Sequence, residues 1–163
     1  MTSLTSRRRS VSAVLAAALL GGCGIQIPTD PDGTLEEIRA SGELHVGVSP
    51  HPPFTTLPPS EGQPPGGSEV ELVSAFAETV GAEPVWVVGG EEALVKQLEK
   101  GEIQLLVGGL TEKSPWSTKV ALTRPYVTTP EDGEQVKHVI AAVPGENALL
   151  SELERYLDGE GGR

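Results

Sequence analysis

Gly101-Glu-Ile-Gln-Leu-Leu-Val-Gly-Gly-Leu-Thr-Glu-Lys-Ser-Pro-Trp116 is the stretch on which the fold turns. Residues 103–107 form a short, mostly apolar run closed by Gly108-Gly109, too short for a free-standing helix. Such a run fits a strand buried on both faces, as in a parallel sheet. Residues 91–100 ahead of it have helical spacing, with Leu94, Val95 and Leu98 inward and Glu91 and Glu92 at the positive end. Behind it come a Gly-Gly turn, the hydroxyl of Thr111 and a candidate helix start at Ser114-Pro115. In open α/β sheets ligands sit just past the carboxyl ends of the strands, which puts residues 108–116 at the rim of a crevice.

The same alternation extends outward. Upstream, residues 84–88 are β-branched and aromatic, a strand that turns at Gly89-Gly90. Residues 70–80 place Leu72, Val73, Phe76, Ala77 and Val80 on one helical stripe, closed by Gly81. Residues 44–48 are the first strand, with Leu44, Val46 and Val48 on one face; Pro50, Pro52 and Pro53 stop it. Residues 57–67, rich in proline and glycine, read as a mobile loop. Thr34-Leu-Glu-Glu37 has capping-box spacing, with Gly42 as the stop of a short helix. Downstream, an extended piece at 120–122 runs to Thr-Arg-Pro-Tyr126, and 127–135 is an acidic, turn-rich link. Residues 136–143 read as one strand ended by Pro144-Gly145, and residues 146–157 as a helix carrying Leu149, Leu150, Leu153 and Leu157. The tail, 158–163, is expected to fray. No internal repeat is visible. This order predicts one three-layer α/β domain over residues 34–157 with a mostly parallel sheet of about five strands.

Residues 1–22 read as an export signal: Arg7, Arg8 and Arg9, a largely apolar run at 11–20, then Leu20-Gly21-Gly22 before Cys23. The run falls short of the roughly 20 residues that span a bilayer. Cys23 is the only cysteine, which excludes a disulfide within the chain. It is either an unpaired thiol or a lipidation site; Leu-Gly-Gly-Cys23 resembles the bacterial lipobox, in which the cysteine is acylated and becomes the new N-terminus. Residues 23–33, with Pro28 and Pro31, then read as a tether. Residues 1–22 hold three arginines and no acids, so 9 basic and 23 acidic residues remain after them, a formal charge of −14. Nucleic acid and anionic lipid surfaces are poor partners for such a body.

Several ordered pieces resemble the bacterial extracellular solute-binding proteins of the amino-acid-binding type, which serve ABC importers. Ile-Arg-Ala-Ser-Gly-Glu-Leu-His-Val-Gly-Val48 resembles the family's opening, Pro-Pro-Phe54 its first binding loop, and Gly67-Ser-Glu-Val-Glu-Leu72 the start of its first long helix. Gly-Gly-Leu-Thr111 and Thr-Arg-Pro-Tyr126 resemble the pieces that flank its cleft. The resemblance implies a type 2 periplasmic-binding fold, a lipoprotein on the outer side of the cytoplasmic membrane or in the periplasm, and non-catalytic capture of a small polar solute. It implies an ABC permease or other envelope protein as partner. The alternative is an envelope interaction or sensory module that has lost solute binding. Two departures stand out. The second lobe normally follows the Pro-Tyr motif, yet nine residues, 127–135, separate Tyr126 from Val136, and a domain takes about 50. The resemblance is therefore to one lobe, and self-association is one way to supply the missing wall. Ser114 stands where the family has an arginine that grips a ligand carboxylate, with Lys113 beside it; a lysine gives charge without the planar fork.

The candidate ligand residues are Phe54, Glu69, Gly109, Thr111, Ser114 and Trp116. Phe54 either stacks on a solute or caps the core beneath the proline loop. Thr111 donates to a solute or caps a turn, and Trp116 lines the cleft or packs. Glu69 meets a cationic group or is a solvated acid at a helix start, and Tyr126 reads as structural. His45 and His138 read as packed or edge residues of strands, and His51 lies in the candidate binding loop. None of the three has a partner at zinc spacing, and neither a nucleophile elbow nor a phosphate-cradling glycine loop is present. No catalytic set, metal or cofactor is expected.

Overall fold

The computed structural model describes residues 30–60 and 62–160. The export signal, Cys23 and the tether up to residue 29 lie outside the described residues, as do residues 161–163. In chain order the elements are helix α1 (Thr34–Ser41), strand β1 (Glu43–Val48), α2 (Ser68–Val80), β2 (Glu83–Val88), α3 (Glu91–Glu99) and β3 (Leu105–Val107). β4 (Ala121–Leu122), β5 (Val127–Glu131), β6 (Glu134–His138), β7 (Ala141–Ala142) and α4 (Asn147–Glu160) follow.

The main sheet has the order β2-β1-β3-β7-β4. β2, β1 and β3 are parallel, and β7 runs antiparallel to both its neighbours, so four of the five strands share one direction. The expected mainly parallel α/β sheet is present. Crossovers between parallel strands are right-handed. The β1–α2–β2 and β2–α3–β3 connections step in opposite senses, so α2 and α3 cover opposite faces. On the α3 face β1 carries Gly47, where a Cβ would stand 2.7 Å from Ile103 and 3.2 Å from Leu94; the α3 helix and Ile103 lie down on bare backbone there. On the other face Phe76 of α2 meets Tyr156 of α4 with ring centroids 5.7 Å apart. β3 is the centre of the core, its three residues at 0% exposure, as the apolar run predicts.

Five expectations need correction. Thr34 does not cap α1; it is the first helical residue, and Gly33 in the left-handed region precedes it with no side-chain cap. The amides around that turn go instead to one distant and one nearby carboxylate: Glu146 Oε2 accepts from Thr34 N, Glu146 Oε1 from Asp32 N, and Asp30 Oδ2 from Leu35 N. No helix starts at Ser114-Pro115; residues 112–119 make turns, with short bonds such as Ser114 N to Thr111 O. The link at 127–135 is a hairpin, β5 and β6 paired around Asp132-Gly133, both at positive φ (46° and 85°), which suits the primed two-residue turns. Residues 136–143 are not one strand: β6 ends at His138 and β7 belongs to the main sheet, so the chain changes sheets at 139–140. α4 runs past Leu157 to Glu160.

Candidate functional site

The loop after β1 is tied to the ends of the parallel strands. Ser49 N donates to Val107 O at 2.9 Å, and His51 and Thr55 exchange backbone hydrogen bonds at 3.0 and 3.1 Å. The loop reaches α2 through Glu69 N, which donates to Phe54 O at 3.0 Å. This close approach explains Gly67: its φ is 111°, and a Cβ there would lie 2.2 Å from the Phe54 carbonyl oxygen.

Glu69 is fully buried at the first turn of α2. Its Oε2 accepts from Gly108 N at 2.8 Å and Gly109 N at 2.9 Å, and its Oε1 from the Tyr126 hydroxyl at 2.6 Å. It is neither a solvated acid nor a group facing a solute. Its oxygens hold the Gly-Gly turn and the Pro-Tyr segment to one another. Burial first, and then the Glu69 carboxylate, hold the Tyr126 phenol protonated far above its ordinary range.

Gly109 is the turn itself, at φ 65°. A Cβ there would stand 2.7 Å from His51 Cδ2 and 3.1 Å from Phe54 Cδ2, so both rings lie against the bare turn. Gly109→Ala is expected to cost about 1–2 kcal/mol. It should also displace the exposed His51 ring, seen as a lower Tm together with a shift of the His51 ring resonances.

Phe54 is only 8% exposed. His138 lies on its face with centroids 4.2 Å apart and planes tilted by 34°, and His51 stands 6.0 Å from it. Of its two sequence readings, the core-capping one describes this geometry. Thr111 is half-buried and bridges to His138 across the backbone. Ser114 is buried, and its Oγ accepts from Trp116 N at 3.4 Å. Trp116 is half-buried, with its indole N–H donated to Glu91 of α3 and Lys119 5.7 Å above its ring. Phe54, Gly109 and Thr111 therefore meet at one end of the sheet, with His51 and His138. Ser114 follows on the next turn, Trp116 is engaged with α3, and Glu69 points inward.

Sequence reasoning does not single out Thr129, Glu131 and His138 as a group. The Asp132-Gly133 turn is the available signal, since it folds β5 onto β6 and sets Thr129 beside His138. Thr129 Oγ1 lies 2.7 Å from His138 Nε2 and 3.1 Å from Glu131 Oε1, which is itself 3.3 Å from Nε2. This hydroxyl, imidazole and carboxylate do not make a hydrolytic triad, because the acid meets the same ring nitrogen as the hydroxyl and cannot orient the ring from behind. Among the described residues no cluster of three or more His, Cys, Asp or Glu is placed to hold a metal. No helix among them is long and apolar enough to cross a membrane.

Known proteins of the same shape bind amino acids. The arginine-bound form of domain 1 from TmArgBP superposes with a TM-score of 0.66 at 27% identity, covering 76% of this chain and 97% of that one. An ancestral cationic amino acid solute-binding protein, AncCDT-1, shares the fold with a TM-score of 0.69 at 14% identity over 79% of this chain and 94% of its own. Among curated sequences, membrane-bound lytic murein transglycosylase F of Maricaulis maris (strain MCS10) is 36% identical over 127 residues, 76% of this chain. The Vibrio cholerae enzyme of the same name is 31% identical over 102 residues, 60% of this chain. The chain spans only 27% and 18% of the length of those two relatives. The described fold corresponds to one lobe of an amino-acid-binding protein. The sequence profile of the bacterial extracellular solute-binding proteins, family 3, matches residues 44–158, and the chain belongs to that family.

Proposed function

We propose that the protein captures a small polar solute reversibly at the carboxyl ends of β1 and β3, without bond chemistry, as the solute-binding component of an ABC-type importer. The observation that carries the reading is the convergence of the His51–Phe54 loop, the Gly109 turn and Thr111 at the strand ends, where α/β sheets take their ligands. Family membership supports a solute-binding role. Acylation of Cys23 would hold the domain at the outer side of the cytoplasmic membrane on a tether that starts at residue 23 and ends where Asp30 and Asp32 join the fold. Lys113 reaches Glu134 at 3.7 Å on the surface, so a ligand carboxylate at Ser114 meets hydroxyls and amides rather than a guanidinium fork. A solute with N–H donors and little or no net negative charge suits this rim and the acidic chain. Ser114 and Trp116 remain contacts of the proposed site through the turn they share. With one wall, affinity should be weak, and a second copy of the chain would bury more of the solute.

Isothermal titration with L-arginine and a panel of amino acids, amines and small organic acids tests the reading. A saturable isotherm is expected for at least one of them, weakened about tenfold in Thr111→Val by the loss of one hydrogen bond. No heat from any of these solutes, in a folded protein, would overturn it. The similarity to part of a murein transglycosylase favours a second reading, an envelope sensory or interaction module attached to other machinery. A binding partner recovered by crosslinking through Thr111 or His51 positions, with no solute isotherm, would select it.

A further inference from the structure

We propose that the hairpin β5–β6 is an internal plug: His138 occupies the face of Phe54, and that ring becomes a ligand platform only when the plug is released. The His138 side chain is 1% exposed and covers the face of Phe54 at a 34° tilt, a position that a planar ligand group would otherwise take. Among the described residues, the side-chain polar contacts that hold it come from the hairpin, from Thr129 and Glu131. Thr129 donates to Glu131, which as a carboxylate only accepts. Thr129 Oγ1 is then free to accept from an Nε2–H of the His138 ring. The other ring nitrogen, Nδ1, is buried without a hydrogen-bond partner among the described residues. A phenylalanine or leucine would fill the same space with no unsatisfied nitrogen. The imidazole is thus an imperfect filler, held by a two-residue polar clasp.

The rest of the hairpin is lightly attached. Its base is fixed by Tyr126 N to His138 O, Val139 N to Leu110 O and Glu112 N to Lys137 O. Beyond that, the links are the exposed ion pairs Lys113–Glu134 and Lys137–Glu112, at 3.7 and 3.3 Å, a kind that contributes little. Breaking the Thr129–Glu131 clasp therefore frees the ring without dismantling the main sheet. The plug itself does not depend on the solute-capture reading; only its consequence for affinity does.

The chain has two phenylalanines, Phe54 and Phe76, and Phe76 is fully buried under α2. Fluorine NMR of protein labelled with 4-fluorophenylalanine therefore gives a reporter and an internal control. In the wild type a soluble gadolinium chelate should relax both resonances equally little. In His138→Ala the Phe54 resonance should relax several-fold faster while Phe76 stays unchanged, and L-arginine, whose flat guanidinium stacks on aromatic faces, should bind about tenfold more tightly. The gain should vanish in His138→Ala combined with Phe54→Ala. A Phe54 signal still shielded in folded His138→Ala, or measurable L-arginine binding that is equal or weaker there, overturns the plug. Phe54 newly exposed with no L-arginine binding by either protein keeps the plug and counts against solute capture instead. If His138→Ala does not fold, Thr129→Val, which removes the hydroxyl of the clasp, should show the same change in smaller degree, and unchanged shielding there overturns the proposal.

Discussion

Glu69→Ala is expected to cost about 3–5 kcal/mol, a fall in Tm of roughly 10–20 °C. The side chain is fully buried and serves three donors, the amides of Gly108 and Gly109 and the hydroxyl of Tyr126. Truncation leaves those donors inside the protein with no acceptor, and each orphan costs about 1–3 kcal/mol. The alternative of water entering the gap recovers part of that, which sets the lower end of the range. Glu69→Gln separates geometry from charge. Its one oxygen can still serve the two glycine amides, and its NH2 can donate to the Tyr126 oxygen, so about 1–2 kcal/mol is expected. Tyr126→Phe removes a single donor and should cost about 1 kcal/mol. Chemical denaturation of the three variants gives the order directly. An Ala variant within about 1 kcal/mol of the wild type would show that Glu69 does not hold the turn.

The consequence reaches the site. Gly109 carries its left-handed turn because Glu69 fixes its amide, and His51 and Phe54 rest on that turn. The acid that resembles a ligand contact in sequence is thus a positioning group one layer beneath the rim. Solute binding in Glu69→Gln should weaken through the displaced turn rather than through a lost contact.

Most of the main sheet is legible because its strands are short apolar runs between glycines and prolines. Val46 and Val48 of β1, and Leu105, Leu106 and Val107 of β3, are buried on a schedule that composition alone dictates. The helices follow from their stripes, and Gly42 and Gly81 mark their ends at φ 73° and 78°. What is not legible depends on partners far apart in the chain. Thr34 has the spacing of a cap, but the carboxylate of Glu146, 112 residues away, takes its amide. Glu69 looks like a polar helix start, and only the fold brings Gly108 and Tyr126 to it. His138 sits in an apolar run, Val-Lys-His-Val-Ile-Ala-Ala-Val143, that reads as one strand. The Asp132-Gly133 turn divides that run between two sheets, because pairing of β6 to β5 competes with pairing of β7 to β3. Periodicity registers one face at a time and has no term for such a change of sheet.

Loss of Glu146 should be the other large effect, and it carries a pH signature. Glu146→Ala frees the amides of Asp32 and Thr34 at the start of α1 and is expected to cost about 2–3 kcal/mol. In the wild type the Glu146 carboxylate shares its surroundings with Asp30. Burial first, and the adjoining Glu146 second, push Asp30 up to about 6 from 3.8. Glu146 moves the other way: burial raises it, but Asp30 and the amides of Thr34 and Asp32 outweigh this and hold it below 4.5. One proton on the pair, resting on Asp30, is therefore the favoured state. A group raised on folding stabilises fully below its unfolded value and loses that contribution as pH rises through the folded one, here from about 4 to about 6. A group depressed on folding stabilises above its unfolded value and loses that contribution as pH falls, here below about 4.5. The pair is thus strongest at about pH 4 to 5, where the Glu146 contribution is present and the Asp30 contribution is not yet lost. From about pH 5 to 7.5 the wild type should lose up to about 1 kcal/mol, after allowance for solvent screening at the partly exposed Asp30. The general repulsion of an acidic chain also grows with pH, so the decisive comparison is Asp30→Asn, which keeps the acceptor and cannot ionise. Urea denaturation across that range should give a visibly shallower slope in Asp30→Asn than in the wild type, and parallel slopes would show that the two carboxyl groups do not share a proton.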